Sequence, residues 1–139
     1  MPKTTQSGAA KKSELPSTIA RSPKKAQRTY AKAYDSAIEE YQDEERAHRV
    51  AYSALKHSFE KVGDRWEAKD HKGPSDERAR SGGPNPSGSS AEGVDAEATK
   101  EHLYGVARKL DIRGRSRMTK AQLVSAIKAA NRRRTANSR

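Results

Sequence analysis

The chain has 139 residues, a formal charge of +11, 32% hydrophobic residues and no cysteine. The lack of cysteine excludes a disulfide framework, a cysteine zinc site and a thiol nucleophile. No apolar run approaches the ~18 residues of a membrane span. Because globular domains average roughly 45–50% apolar residues, we expect small folded units and flexible chain instead of one large core.

The charge is distributed unevenly along the chain. Residues 1–28 sum to +6, residues 29–70 to −3, residues 71–98 to −2 and residues 99–139 to +10. Basic ends therefore flank an acidic middle, a pattern typical of modules with different partners. The N-terminal segment lacks the apolar stretch of a secretory signal.

After a disordered basic tail at residues 1–13, the pattern predicts a helical hairpin within residues 14–70. Ser22-Pro23 has the sequence of a helix start, and the acidic link between the two apolar stripes is short enough for an antiparallel pair. Gly63 fits the end of the second helix, and Trp66 is placed to cover the open end. The two stripes, at helical spacing, are Ala26, Tyr30, Ala33, Tyr34, Ala37, Ile38 and Tyr41, then Ala47, Val50, Ala51, Ala54, Leu55, Phe59 and Val62.

Three features of this hairpin have both a functional and a structural interpretation. Its tyrosines could stack on bases, but most of them lie on a core stripe. His48 and His57 could ligate a metal, but no convergent Cys or carboxylate pattern accompanies them. The carboxylates of residues 39–45 lack the spaced oxygens and glycine of a calcium loop, which favours a solvated turn. We therefore expect no catalytic residue, no metal and no cofactor.

The segments ELPSTIARSPKKAQRTYAKAYDSAIEEY and AHRVAYSALKHSFEKVGDRWEAK resemble the ChaB family of cation-transport regulators. The shared features are the early Leu-Pro, the two alanine- and aromatic-rich helices and the following Trp. The resemblance implies a small α-rich domain, a bacterial-type cytoplasmic protein, and a regulatory link to a sodium/proton or calcium/proton antiporter. The polar segment between the two helices is shorter here than in most family members.

Residues 71–98 contain one large aliphatic residue and many Gly, Pro and Ser, which predicts a flexible linker. Residues 99–131 then form a second unit, in which Thr99 starts one helix and Gly114 breaks the pattern. A Thr119–Gln122 capping box starts another helix. Such a small core rarely supplies more than ~3–5 kcal/mol of stability. Residues 132–139 are predicted to be a basic tail.

The polar face of the second unit is strongly basic, which predicts binding to nucleic acid through phosphates. Loop arginines beside a helix N-terminus suit phosphate groups. The alternatives are a solubilising face, or arginines that satisfy the end of the preceding helix. The candidate nucleic-acid-binding residues are Arg113, Arg115, Arg117, Lys120, Lys128, Arg132, Arg133 and Arg134.

The sequence TKEHLYGVARKLDIRGRSRMTKAQLVSAIKAA resembles the N-terminal domain of transcription termination factor Rho, with GRSRMTK as its most specific part. The resemblance implies a SAP-like helix–extension–helix fold and a role with DNA or RNA. The RNA-binding barrel and ATPase that follow this unit in Rho do not follow it here, so helicase chemistry is not implied.

Together these patterns predict an all-α protein, with two small independent helical modules, a flexible linker and disordered basic termini. We expect a non-enzymatic regulator that binds DNA or RNA through the C-terminal module, with the ChaB-like module as the protein-interaction unit. The alternative is a ChaB-type regulator of a cation/proton antiporter whose basic ends only touch anionic lipid or other polyanions.

Overall fold

The computed structural model describes residues 3–4, 10–11, 14–75 and 91–138. Two strands and a set of helices make up the fold, and a 3₁₀ turn at Arg115–Arg117 precedes the last helix. In chain order the elements are α1 (Ser17–Ala20), α2 (Lys24–Tyr41), α3 (Glu44–Ser58), β1 (Phe59–Val62), β2 (Arg65–Ala68), α4 (Lys100–Lys109) and α5 (Lys120–Asn137).

The predicted helical hairpin of α2 and α3 is confirmed. The helices pack through small and aromatic side chains, because alanines on both faces allow close approach. Gln42 adopts a left-handed conformation that ends α2, and the Asp43 carboxylate caps α3 by accepting from the N–H groups of Glu45 and Arg46. The buried residues of the two helices are Ala26, Tyr30, Ala31, Tyr34, Ala37, Ala47, Ala51 and Leu55.

Ser22 has a different role from the predicted helix cap. Its hydroxyl donates to the Thr18 carbonyl (2.7 Å) and accepts from the Trp66 N–H (2.8 Å). It therefore ties the short helix α1 to strand β2, and α2 starts without a side-chain cap.

The all-α prediction is wrong, because residues 59–62 continue from α3 as a strand instead of helix. β1 pairs antiparallel with β2, with Phe59 opposite Ala68 and Val62 opposite Arg65. Gly63 at φ 71° supplies the left-handed residue of the two-residue turn. Phe59 and Val62 are three apart, which fits one helical stripe but places them on opposite faces of a strand.

The two faces of this sheet contact different groups of helices. Phe59 and Trp66 pack into the α2–α3 core, whereas Val62 packs into the core of α4 and α5. The sheet is therefore a thin middle layer between the two helical units. The C-terminal core on its far side comprises Val62, Ala91, Val94, Leu103, Val106, Ala107, Leu110, Ile112, Leu123, Ile127 and Ala130.

The predicted independence of the two modules is also wrong. The buried Asn131 side chain accepts from the Gly63 N–H (2.6 Å) and donates to the Lys61 carbonyl (3.0 Å). These two bonds join α5 to strand β1 and to the hairpin turn between β1 and β2. Thr135 donates to the Gly63 carbonyl at 3.3 Å. A helix pair too small to be very stable alone is thus supported by the first unit.

Local signals of the second unit are confirmed. Thr99 caps α4, and Thr119 with Gln122 forms the capping box of α5. However, α5 continues to Asn137, so residues 132–137 are helical where we predicted a disordered tail. The domain boundaries stay a prediction, because residues 76–90 of the linker and most of residues 1–13 lie outside the described residues.

Candidate interaction surfaces

The first basic surface is the loop before α5, called here the loop patch and made of Arg113, Arg117 and Lys120. All three side chains are exposed. Gly114 has φ 75°, which turns the chain between the arginines. Lys120 occupies the first turn of α5, where the helix dipole favours an anion. The loop patch therefore presents three cations beside a helix N-terminus.

Arg115 belongs to the same loop but serves the fold. Its Nη1 donates to the Ile112 carbonyl at 3.0 Å, just beyond the end of α4. Its guanidinium also lies 5.6 Å from the centre of the Tyr104 ring. The alternative in which a loop arginine satisfies the end of the preceding helix thus describes Arg115.

The second basic surface lies near the C-terminal end of α5 and is called here the helix-end patch, Lys128 and Arg132 to Arg134. Lys128 and Arg132 are one turn apart and share the carboxylate of Glu92. Arg132 Nε donates to Glu92 Oε1 at 3.0 Å and its Nη2 pairs with Oε2, while Lys128 Nζ lies 3.4 Å from Oε2. The hydrogen bond from Arg132 holds the Glu92 pKa below its usual value.

Arg133 and Arg134 are exposed at the same end of α5. Arg134 extends past the hairpin turn, where a Cβ at Gly63 would lie 3.2 Å from Arg134 Cδ. At 1.5 Å per residue, the twelve-residue separation between Lys120 and Arg132 spans about 18 Å. The structure therefore divides the candidate residues into two patches and does not bring all of them together.

A third surface, on the helical hairpin, combines apolar side chains with an arginine. Tyr41 and Val50 are 38% and 37% exposed. The Arg46 guanidinium stacks 3.9 Å from the centre of the Tyr41 ring, and Arg46 and Val50 are one turn apart on α3. The sequence pattern had placed Tyr41 and Val50 on the buried stripes. We call the surface formed by Tyr41, Arg46 and Val50 the tyrosine–arginine patch. Tyr and Arg are enriched among binding hot spots, so this patch is a candidate protein-binding surface.

An ion pair between the two units was not predicted from the sequence. Glu60 of β1 is buried on the sheet face toward α4, and His102 Nε2 lies 2.8 Å from its Oε2. His102 Nδ1 lies 3.4 Å from the exposed Asp70 carboxylate. Recognising residues 59–62 as a strand would have placed Glu60 beside Val62, on the face that meets the second unit.

Each partner of this pair has a shifted pKa. Burial raises the pKa of Glu60, and the hydrogen bond from His102 offsets only part of that effect. Burial lowers the pKa of His102, but the hydrogen bond and attraction of Glu60, with Asp70 and Asp95, outweigh it and raise the pKa overall. The pair is therefore strongest where His102 is protonated and Glu60 is ionised.

Lys69 forms a second buried polar contact, at the boundary between the two units. Its side chain is 1% exposed, and its Nζ donates to the Gly73 carbonyl (2.6 Å), the Ser75 hydroxyl (2.9 Å) and the Lys56 carbonyl (3.1 Å). Asp95 Oδ1 lies 3.8 Å away. Lys69 thus holds residues 73 and 75 close to Asp95.

The structural interpretation of the tyrosines holds for Tyr30 and Tyr34. Both are buried, and the Tyr30 hydroxyl is hydrogen-bonded to His48 Nδ1, so neither ring is available to stack on a base. Burial raises the pKa of Tyr30 well above its usual value. Within residues 14–75 and 91–138 and the short described N-terminal pieces, no group of three His, Asp or Glu side chains could hold a metal.

Comparison with protein families matches residues 15–69, less than half of the chain, to the ChaB family. This confirms the resemblance of the first unit and covers α1 to β2. No curated protein and no solved structure matches the chain. The Rho resemblance of residues 99–130 receives no support from these comparisons. Among the helices that the structure describes, none combines the length and apolar character needed to cross a membrane.

Proposed function

We propose that this protein is a non-enzymatic, cytoplasmic bacterial regulator of the ChaB type that acts by contact with other macromolecules. The observation that carries this proposal is the ChaB match, whose residues 15–69 contain the whole helical hairpin and both strands. The matched region thus contains the whole α2–α3 core. Cation transport is the process to which the family points, and a cation/proton antiporter is the proposed protein partner.

The tyrosine–arginine patch supports contact with a protein. Stacking of Arg46 on Tyr41 preorganises two side chains of the types that dominate interface energetics. Val50 adds exposed apolar surface one turn away. A partner that covers these three side chains would bury apolar area without any rearrangement of the core.

Copurification with membranes tests this proposal. The full chain is incubated with nuclease-treated, detergent-solubilised membranes, and the transporter that copurifies with it is identified. We expect Val50→Asp to abolish retention, and Ser53→Asp, which adds the same charge at another exposed position of α3, to leave it unchanged. Contact through this patch would be contradicted if the transporter copurified only when nuclease is omitted. It would also be contradicted if both variants retained the transporter.

The loop patch favours a second candidate function, the binding of nucleic acid through its phosphates. Arg113, Arg117 and Lys120 are exposed beside the start of α5, in a unit of net charge +10 between residues 99 and 139. Arg133 and Arg134 add two exposed cations at the other end of the helix. We infer backbone recognition without base specificity, because exposed Arg and Lys side chains at the two ends of a helix are suited to phosphate contacts, which carry no sequence information.

The salt dependence of binding tests this second candidate. Five phosphate contacts give a log–log slope of roughly −4.5 for duplex DNA, at ~0.9 per contact. Replacement of the three loop-patch residues by Gln leaves two contacts and a slope of roughly −1.8. The matched control replaces Lys24, Lys25 and Arg28, exposed cations of α2, and keeps the full slope. Equal slopes for both triple variants would refute the assignment to the loop patch.

A further inference from the structure

The turn at residues 91–95 is fixed against the sheet and the C-terminal core. Ala91 and Val94 are buried, and the Gly93 carbonyl accepts from the Lys61 N–H at 2.8 Å. Gly93 has φ 91°, and a Cβ there would lie 2.5 Å from Trp66 Cη2. The backbone of this turn is therefore held in one place by groups on both sides of it.

Glu92 lies within this turn in a conformation that side chains disfavour. Its φ is 53°, in the left-handed region that residues other than Gly rarely adopt. The turn directs its carboxylate to α5, where it pairs with Arg132 through two hydrogen bonds and with Lys128 at 3.4 Å. The single carboxylate of Glu92 thus pairs with two cations of the helix-end patch.

The chemistry of this contact resembles phosphate binding. A guanidinium presents the same fork of N–H donors to a carboxylate and to a phosphate. Lys128 and Arg132 are one helical turn apart, so a single anionic group can meet both of them. Their present ligand comes from the same chain.

We propose that Glu92 is an internal anion that masks Lys128 and Arg132, so that nucleic-acid phosphates reach these two cations only after its carboxylate is displaced. This inference rests on the second candidate function, nucleic-acid binding. It makes the loop patch the surface of first contact. Displacement of the Glu92 carboxylate then allows the chain to neutralise up to two further phosphates.

The variant Glu92→Gln tests this inference in the full chain, with Asp111→Asn as the matched control. Asp111 is exposed in the same basic unit, has φ 55°, and forms no ion pair with the described residues. Both variants remove one negative charge. Binding to a short duplex DNA is measured at several salt concentrations, and unchanged Trp66 emission verifies the fold.

We expect Glu92→Gln to steepen the salt slope by up to about 1.8, because two more phosphates are contacted at ~0.9 each. We expect Asp111→Asn to leave the slope unchanged. In a Lys128→Gln/Arg132→Gln background, Glu92→Gln should no longer steepen it. If all variants bind but Glu92→Gln and Asp111→Asn have equal salt slopes, the masking role of Glu92 is overturned and nucleic-acid binding is not. Absence of binding by the wild type and every variant would overturn nucleic-acid binding together with it.

Discussion

The ion pair between His102 and Glu60 predicts that the stability of the protein depends on His102 and on pH. In His102→Ala, the Glu60 carboxylate, 5% exposed, loses its partner at 2.8 Å. An orphaned buried polar group costs about 1–3 kcal/mol, and a buried charge lies at the upper end of that range. The backbone bond from His102 N–H to Thr99 is retained, so the loss comes from the side chain.

The direction of the pH effect follows from the raised pKa of His102. Because the folded state holds the proton more tightly than the unfolded state, the His102 contribution is complete below its unfolded pKa of about 6.5 and is lost as pH rises through the higher folded value. The raised pKa of Glu60 acts in the same direction. Asp70 and Asp95 also act on His102 through their charge, as Asp95 and Glu67 do on Glu60.

Urea unfolding monitored by Trp66 emission measures both effects. We expect the free-energy difference between wild type and His102→Ala to be larger at pH 6 than at pH 8.5. His57→Ala, at an exposed position of α3, should change stability by less than ~0.5 kcal/mol at either pH. A His102→Ala loss equal to that of His57→Ala, or one that does not vary with pH, would refute the role of the ion pair.

Three further substitutions probe the packing of the second unit, each measured by urea unfolding. Asn131→Ala should cost about 1–3 kcal/mol, because it orphans buried backbone groups of the hairpin turn, whereas the exposed Asn137→Ala should be nearly neutral. Gly93→Ala should cost about 1–3 kcal/mol of backbone strain and shift Trp66 emission to the red as the ring moves away; unchanged emission would contradict the close approach. Thr119→Ala should cost about 1 kcal/mol through the lost helix cap, and no loss would show that the cap is dispensable.

Local sequence signals predicted most of the helices. The capping box at Thr119, the cap at Thr99 and the glycine break at Gly114 depend on neighbouring residues only, and all three are present in the structure. The hairpin of α2 and α3 was likewise predicted, because its apolar spacing extends over several turns. These features need no knowledge of how distant segments meet.

Features that depend on distant segments were not predicted. Phe59 and Val62 fit the spacing of a helix, and only their burial in two different cores distinguishes the strand. The pairing of Asn131 with residues 61 and 63 spans about half of the chain, so no local pattern reveals it. The same holds for Glu92, which divides the predicted basic residues by binding Lys128 and Arg132.

We propose that the unit that matches the ChaB family regulates cation transport by contact, and cation/proton exchange in inverted bacterial membrane vesicles tests this proposal most directly. The purified chain is added to nuclease-treated vesicles, and sodium- or calcium-driven proton movement is followed with a pH-sensitive dye. We predict that the wild type and Ser53→Asp change the exchange rate, and that Val50→Asp does not. Exchange rates that are the same with and without the wild-type protein would contradict the claim.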